Sequence, residues 1–294
     1  MNSIELLANI YKPYKISYKG STKIFKCTSG NYVIKNKKDK DIKELYSYLN
    51  SRNFTYYPKL IEDNRSDINV FEYIEDYSID DEQKLNDLLN LVSLLHNKTS
   101  YYKEITNDKI KSIYEELLGR VEYIEDSFNK LIFDVEDNVF MSPSSNILLI
   151  NSTKVFDSLT FIKKEIDKWY QISIDKNKMR VCLLHNNLEL DHYLKNKNDY
   201  LISWESSKID TPIIDIVKLY KKVFLTLDFI DPLKTYLEKF PLNDSEMELL
   251  YIMLALPDEL ILTNDELKNV KNTRIFLDYI YKTENLIKNI YKKD

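Results

Sequence analysis

The stretch LLHNNLELDHYLKNKNDYLISWESSKIDTPIIDIVKLY, residues 183 to 220, is the part of the chain richest in side chains that could do chemistry. It carries His185, Glu189, Asp191, His192, Glu205, Asp210 and Asp215, two of the three histidines among them. Carboxylates are the groups that hold a hard divalent cation such as magnesium, which prefers oxygen ligands, and that accept a proton from a hydroxyl. Glu189 and Asp191 flank this segment's Asn187, and with Glu205 they are the residues from which a base and a metal site could be assembled.

Several other chemistries are excluded. A phosphate-cradling loop needs glycines so that backbone N–H groups can approach the anion. The chain has only Gly20, Gly30 and Gly119, so neither GxGxxG nor GxxxxGK[ST] can be built. Cys27 and Cys182 are far apart and lack CxxC spacing, which argues against a cysteine metal site or disulfide framework. Each lies in an apolar run and reads as a small buried hydrophobe. The net charge is -5, with 42 basic and 47 acidic residues intermixed, so no electrostatic footprint for nucleic acid is present. The widest cationic run, Lys35 to Lys40, reads as a solvated loop. No apolar stretch is long enough for a signal peptide or a transmembrane helix, so the expectation is a cytoplasmic, reduced protein without membrane association. The twenty-three tyrosines, in places at core-like helical spacing as at Tyr114 and Tyr279, read as compositional bias and not as a base-stacking surface.

The elements that must position these groups follow from periodicity. Residues 14 to 35 alternate like three short antiparallel strands with turn signals at Gly20-Ser21 and Ser29-Gly30-Asn31. Asp41 to Leu49 reads as a helix with Ile42, Leu45, Tyr46 and Leu49 on one face. Tyr57–Ile61 and Ile68–Ile74 read as strands. Helical spacing then dominates over Glu82–His96 and Asp108–Ser127, and in one longer helix starting at Ser142-Pro143 and carrying Leu148, Val155, Leu159, Ile162, Ile166 and Trp169 on one stripe. Met179–Leu184 and Tyr200–Trp204 read as strands, and from about residue 213 the chain is helical, with capping signals at Asn243 and Asp265. The fold expected is α+β, with a strand-rich N-terminal lobe over 1–76 and a mainly helical C-terminal lobe over 77–294 that carries segment 183–215.

That segment resembles the catalytic region of the aminoglycoside phosphotransferase and choline kinase superfamily, including its spore-coat-kinase-like bacterial members. There a strand runs into HGDxxxxN, and a second strand ends in D-[FW]-[DE]. A later segment carries a proline and an aspartate. Here the frame holds His185, Trp204-Glu205, Asp210-Thr211-Pro212 and Asp215. The resemblance extends over most of residues 14 to 225. It implies a protein-kinase-like two-lobed fold, with Lys35 of Val33-Ile34-Lys35 reaching nucleotide phosphates and Glu44 pairing with it. Phe71–Ile74 would form the hinge, and His185 and Asp215 would have structural roles around the loop.

The departures fall on the chemistry. The family's catalytic aspartate falls on Asn187, its metal-binding asparagine on His192, and the first aspartate of D-[FW]-[DE] on Ser203. Only Glu205 remains as a matching carboxylate. Phosphoryl transfer rests on positioning and on charge neutralisation by metal ions. Losing one preorganised group of this kind commonly costs about 10²- to 10³-fold. The expectation is therefore a pseudokinase, catalytically impaired, with no catalytic residue intact, no metal site and no cofactor, acting as scaffold or sensor for a protein partner or small ligand. Two alternatives stand beside it. One is an ATP- and magnesium-dependent phosphotransferase of a small hydroxylated molecule, with a site rewired through Glu189, Asp191 and Glu205. The other is a helical interaction protein without a nucleotide role.

Overall fold

The computed structural model describes residues 3–20, 22–37, 41–61, 67–137 and 140–291; Ser21 of the first turn signal and residues 38–40 of the cationic run lie outside them. The chain forms two compact units, Met1–Thr99 with His185–Lys208, and Ser100–Leu184 with Ile209–Asp294. Residues 185–208 thus belong with the strand-rich part, and the contact boundary falls after Thr99, whereas the sequence pattern places the lobe boundary at residue 76.

The first unit opens with α1 (Ser3–Tyr11), followed by β1 (Lys15–Lys19), β2 (Thr22–Cys27), β3 (Gly30–Asn36), α2 (Ile42–Ser51), β4 (Leu60–Ile61), β5 (Ile68–Glu72) and α3 (Asp81–Thr99). The strands form one antiparallel sheet in the order β1-β2-β3-β5-β4, with Ile34 opposite Lys23 and Val70, and Lys35 opposite Asn69. Alternation assigns its two faces. Phe25, Cys27, Ile34, Ile68 and Val70 pack with Leu7 of α1 into one core cluster. The intervening Ile24, Val33, Lys35 and Phe71 line a cavity on the other side. α2 begins at Asp41, whose carboxylate accepts from the amides of Lys43 and Glu44, and it buries the expected face of Ile42, Leu45, Tyr46 and Leu49. Residues 185–208 add a 3₁₀ turn (Leu190–His192), the hairpin β8 (Tyr193–Lys195) with β9 (Asp199–Leu201), and a second 3₁₀ turn (Trp204–Ser206). They are bound to the rest of the unit by Leu201 N–H donating to Tyr56 C=O and by Lys195 N–H donating to Asp76.

The second unit is mainly helical. A three-stranded sheet, β10-β7-β6, joins β6 (Tyr101–Glu104), β7 (Lys178–Leu184) and β10 (Lys208–Asp210). The helices are α4 (Asn107–Glu136), α5 (Pro143–Ile150), α6 (Ser152–Ser173), α7 (Ile213–Val223), α8 (Ile230–Lys239), α9 (Asp244–Ala255) and α10 (Glu266–Ile290). The single long helix expected from Ser142 is two helices. Ser142 is the N-cap and Pro143 the first residue, as expected, but Asn151 ends α5 and starts α6, its amide donating back to Ile147 C=O. The buried stripe Val155, Leu159, Ile162, Ile166 and Trp169 lies on α6. The architecture is α+β: a small antiparallel sheet and a larger, mainly helical remainder.

Candidate ligand-binding site

Within the first unit, a cavity of about 390 Å³ is enclosed by the sheet face bearing Val33 and Lys35, by α2, and by residues 189–205. This volume lies in the usual range for small-molecule pockets. Its apolar walls come from Ile24, Val33, Phe71, Ile74, Leu194 and Ile202.

With Lys19, Lys35 is one of two lysines that line it. The Nζ atom donates to Glu205 Oε1 at 3.0 Å and to Ser203 Oγ at 3.1 Å. Both partners of the ion pair are largely shielded, with side chains 20% and 18% exposed. The expected pairing with Glu44 is not formed. Glu44 is exposed on the face of α2 opposite its buried stripe, about 200° around the helix from Tyr46, which with Ile42 lines the cavity. Tyr46 stacks on Tyr57 at 3.9 Å between ring centroids, and Tyr57 hydroxyl donates to Asn50 Oδ1 at 2.6 Å. Burial first, and then the charges of Tyr57, Glu205 and Glu72, push the Tyr46 phenol well above its ordinary range, so it is a neutral hydrogen-bonding group.

Ser203 reaches Lys35 from an uncommon backbone. Its φ of 68° and ψ of 51° lie in the left-handed region, which costs a non-glycine residue about 1 kcal/mol or more. What holds it there is the next residue. Trp204 is 2% exposed, its indole N–H donates to Leu201 C=O at 2.8 Å, and its ring meets Phe54 and His185 edge-on. His185 is fully buried and its Nε2–H donates to Ile202 C=O at 2.8 Å, tying the start of segment 185–208 to the residue before Ser203. Asn186, also left-handed at φ 62°, donates from its amide to Ser206 C=O.

The positions that depart from the family pattern are folded into the loop. His192 donates from Nδ1 to Asn187 C=O at 2.6 Å, and its backbone N–H donates to Glu189 C=O, so the imidazole closes the loop on itself. Its Nε2 lies 3.9 Å from Glu189. Asp191 pairs with Lys19 at 3.3 Å where both side chains are about three-quarters exposed, a contact worth little. Among the described residues no group of three or more His, Cys, Asp or Glu side chains is placed to hold a metal ion. The donor set does not fit the ion either. A serine stands where the family has a metal-binding aspartate and an imidazole where it has a metal-binding asparagine, and the carboxylate that remains is bonded to an ammonium. Asp215 belongs to the second unit, where it is fully buried in the first turn of α7; there its charge adds to burial in raising the Cys182 thiol pKa.

No family model matches the chain, and no curated protein does. Solved structures do. An aminoglycoside phosphotransferase from Alicyclobacillus acidocaldarius superposes with a TM-score of 0.67 at 8% identity, over 95% of this chain and 92% of that one. Spectinomycin phosphotransferase APH(9)-Ia superposes with a TM-score of 0.52 at 13% identity in complex with ADP and spectinomycin, over 97% of each chain. Its AMP-bound form gives 0.53 at 12% identity, over 99% of this chain and 94% of that one. At such identities the likeness is one of fold. The chain has the protein-kinase-like fold of the aminoglycoside phosphotransferases.

Proposed function

We propose that this chain is a pseudokinase that senses a small ligand in the cavity of its first unit. The observation that carries the reading is the bonding of Lys35. Its ammonium is held by Glu205 and by Ser203, the residue standing where the family's magnesium-binding aspartate belongs. An ammonium at that point neutralises the one matching carboxylate, and magnesium would have to displace it. With Asn187 unable to take a proton, neither the base nor the metal of phosphoryl transfer has a residue to supply it.

The cavity itself supports ligand binding over a purely scaffolding role, because it is open at about 390 Å³ and not filled by side chains. Adenine nucleotides are the first ligands to test, since spectinomycin phosphotransferase, which shares the fold, holds ADP and AMP. On this reading Lys35 would exchange Glu205 for a phosphate oxygen, and the bound nucleotide would need no divalent ion.

Thermal unfolding with ATP, ADP and AMP, with and without magnesium, tests this. A ligand at 100 times its Kd stabilises by about 2.7 kcal/mol. The expected result is stabilisation that magnesium does not increase, together with no ADP release. Stabilisation by ATP only when magnesium is present, or robust ATP turnover, sinks the proposal. Restoring Asn187→Asp, His192→Asn and Ser203→Asp together is expected to make nucleotide binding magnesium-dependent.

A further inference from the structure

The second unit contains a cavity of about 280 Å³ of its own, built from none of the residues around Lys35. Its inner wall is apolar, from Ile110, Trp169 and Leu249, each no more than 5% exposed. Two hydroxyl groups, on Ser173 and Thr211, are lodged in the same wall at 5% and 6% exposure, and neither hydroxyl oxygen has a hydrogen-bond partner among the described residues. An unmet buried hydroxyl costs about 1–3 kcal/mol, so two in one cavity call for a partner from solution.

The cations around the opening supply a second observation. Arg180 of β7 is locked: Nε and Nη2 donate to the two oxygens of Glu246 at 2.9 and 2.6 Å, Nη2 also reaches Pro241 C=O, and the guanidinium lies 4.2 Å above the Phe240 ring centroid. Its Nη1 has no partner among the described residues. Lys176 donates to Ser245 Oγ at 2.9 Å, and neither it nor Lys178 lies within 4 Å of a carboxylate among the described residues, although Glu104 is opposite Lys178 in the β6–β7 register. Three cations therefore line the cavity against one carboxylate, and both oxygens of that carboxylate are taken by Arg180.

We propose that this cavity binds a small organic oxyanion, a carboxylate or phosphate monoester on a compact apolar body. The body rests on Trp169 and Leu249. The oxygens accept from Arg180 Nη1, from the Ser173 and Thr211 hydroxyls and from Lys176. A guanidinium edge whose other nitrogens are already fixed is preorganised for such a group, because no rotamer freedom is left to lose on binding.

The chain has two tryptophans, Trp169 here and Trp204 in the first cavity. Fluorine NMR of full-length protein carrying 5-fluorotryptophan, with Trp169→Phe assigning the signals, separates the two sites. The probes are phenyl phosphate, benzoate, benzyl alcohol and inorganic phosphate. Saturable movement of the Trp169 signal by phenyl phosphate or benzoate, and not by benzyl alcohol, is expected; which of the two binds more tightly identifies the oxyanion. Lys176→Gln and Thr211→Val, each confirmed folded by its unfolding transition, should each weaken that binding about tenfold, equivalent to about 1.4 kcal/mol. The proposal is overturned if neither aromatic anion moves the signal, if both variants bind as the parent does, or if inorganic phosphate binds as well as phenyl phosphate, which would mean an adventitious ion only.

Discussion

Lys35 on β3 and Glu205, separated by 170 residues of sequence, hold their charges 3.0 Å apart in a shielded pocket. Such a pair is worth more than an exposed one, and removing either partner leaves a charge with poor solvation. Lys35→Met is expected to destabilise by about 1–2 kcal/mol and Glu205→Gln by less, because the amide still accepts from the lysine. The double variant should recover about 1 kcal/mol of coupling, measured as a double-mutant cycle in urea. A coupling of zero would remove the pair as the organiser of the site.

Trp204 is expected to be the costliest residue of the site to truncate. Trp204→Ala opens a cavity under Ser203 and should cost about 3–5 kcal/mol, seen as a lower denaturation midpoint. Trp204→Phe should cost less, because the ring contacts with Phe54 and His185 can be kept while the bond to Leu201 C=O is lost.

A pH effect of unusual sign is expected from α6 and α9. Glu165 and Glu248 are both buried, Lys168 donates to Glu248 at 2.7 Å, and Tyr291 donates to Glu165 at 3.2 Å. Burial, with the neighbouring Glu248 carboxyl next, pushes Glu165 up from 4.5 to about 7, while Lys168 opposes the shift. The folded state thus holds a proton that the unfolded chain releases near 4.5. The stabilisation is complete below about 4.5 and is lost as pH rises through about 7. Thermal unfolding from about pH 5 to about pH 8 should show stability falling, and Glu165→Gln should flatten that slope. An unchanged slope in the variant would assign the effect elsewhere.

Glu246 serves two structures at once. It completes the capping box of α9 with Asn243 and holds Arg180 through two bonds. Asn243→Ala should cost about 1 kcal/mol. Glu246→Ala should cost about 3–5 kcal/mol by chemical denaturation, since it also strands a largely buried guanidinium. Equal costs for the two variants would show that the Arg180 contact contributes nothing.

Periodicity alone makes most elements legible. The three strands of 14–35, the buried face of α2, the N-cap at Ser142 and the capping box at Asn243 are local consequences of local sequence. What it misses depends on partners elsewhere in the chain. β6 has four exposed residues and no alternation, and it is a strand because β7 offers an edge to pair with. Asn151 looks like one polar residue in a long apolar stripe, yet its side chain ends one helix and its backbone starts another. The site is half legible. Lys35 can be picked out, but its partner cannot be found by order along the chain. The helical phase that buries Ile42, Leu45 and Tyr46 already turns Glu44 outward, and Glu205, which meets Lys35, lies beyond six further strands, four of them in other sheets. Trp204 reads as a core residue, and it is one; its role in setting the left-handed turn at Ser203 depends on Phe54 and His185, neither of which is its neighbour in sequence.

The first unit is built from two stretches of chain, Met1–Thr99 and His185–Lys208, with Ser100–Leu184 made between them. On the ribosome this is a delay on the order of ten seconds. During it α2 and the five-stranded sheet lack Trp204, Leu201 and the hairpin that bonds to Tyr56 and Asp76, and Phe54 lacks the indole that meets it edge-on. Synthesis therefore passes through an interval in which an apolar surface waits for residues not yet translated. Stalled or truncated chains ending before His185 should be substrates for chaperones and proteases even though the strands of their first sheet are all present.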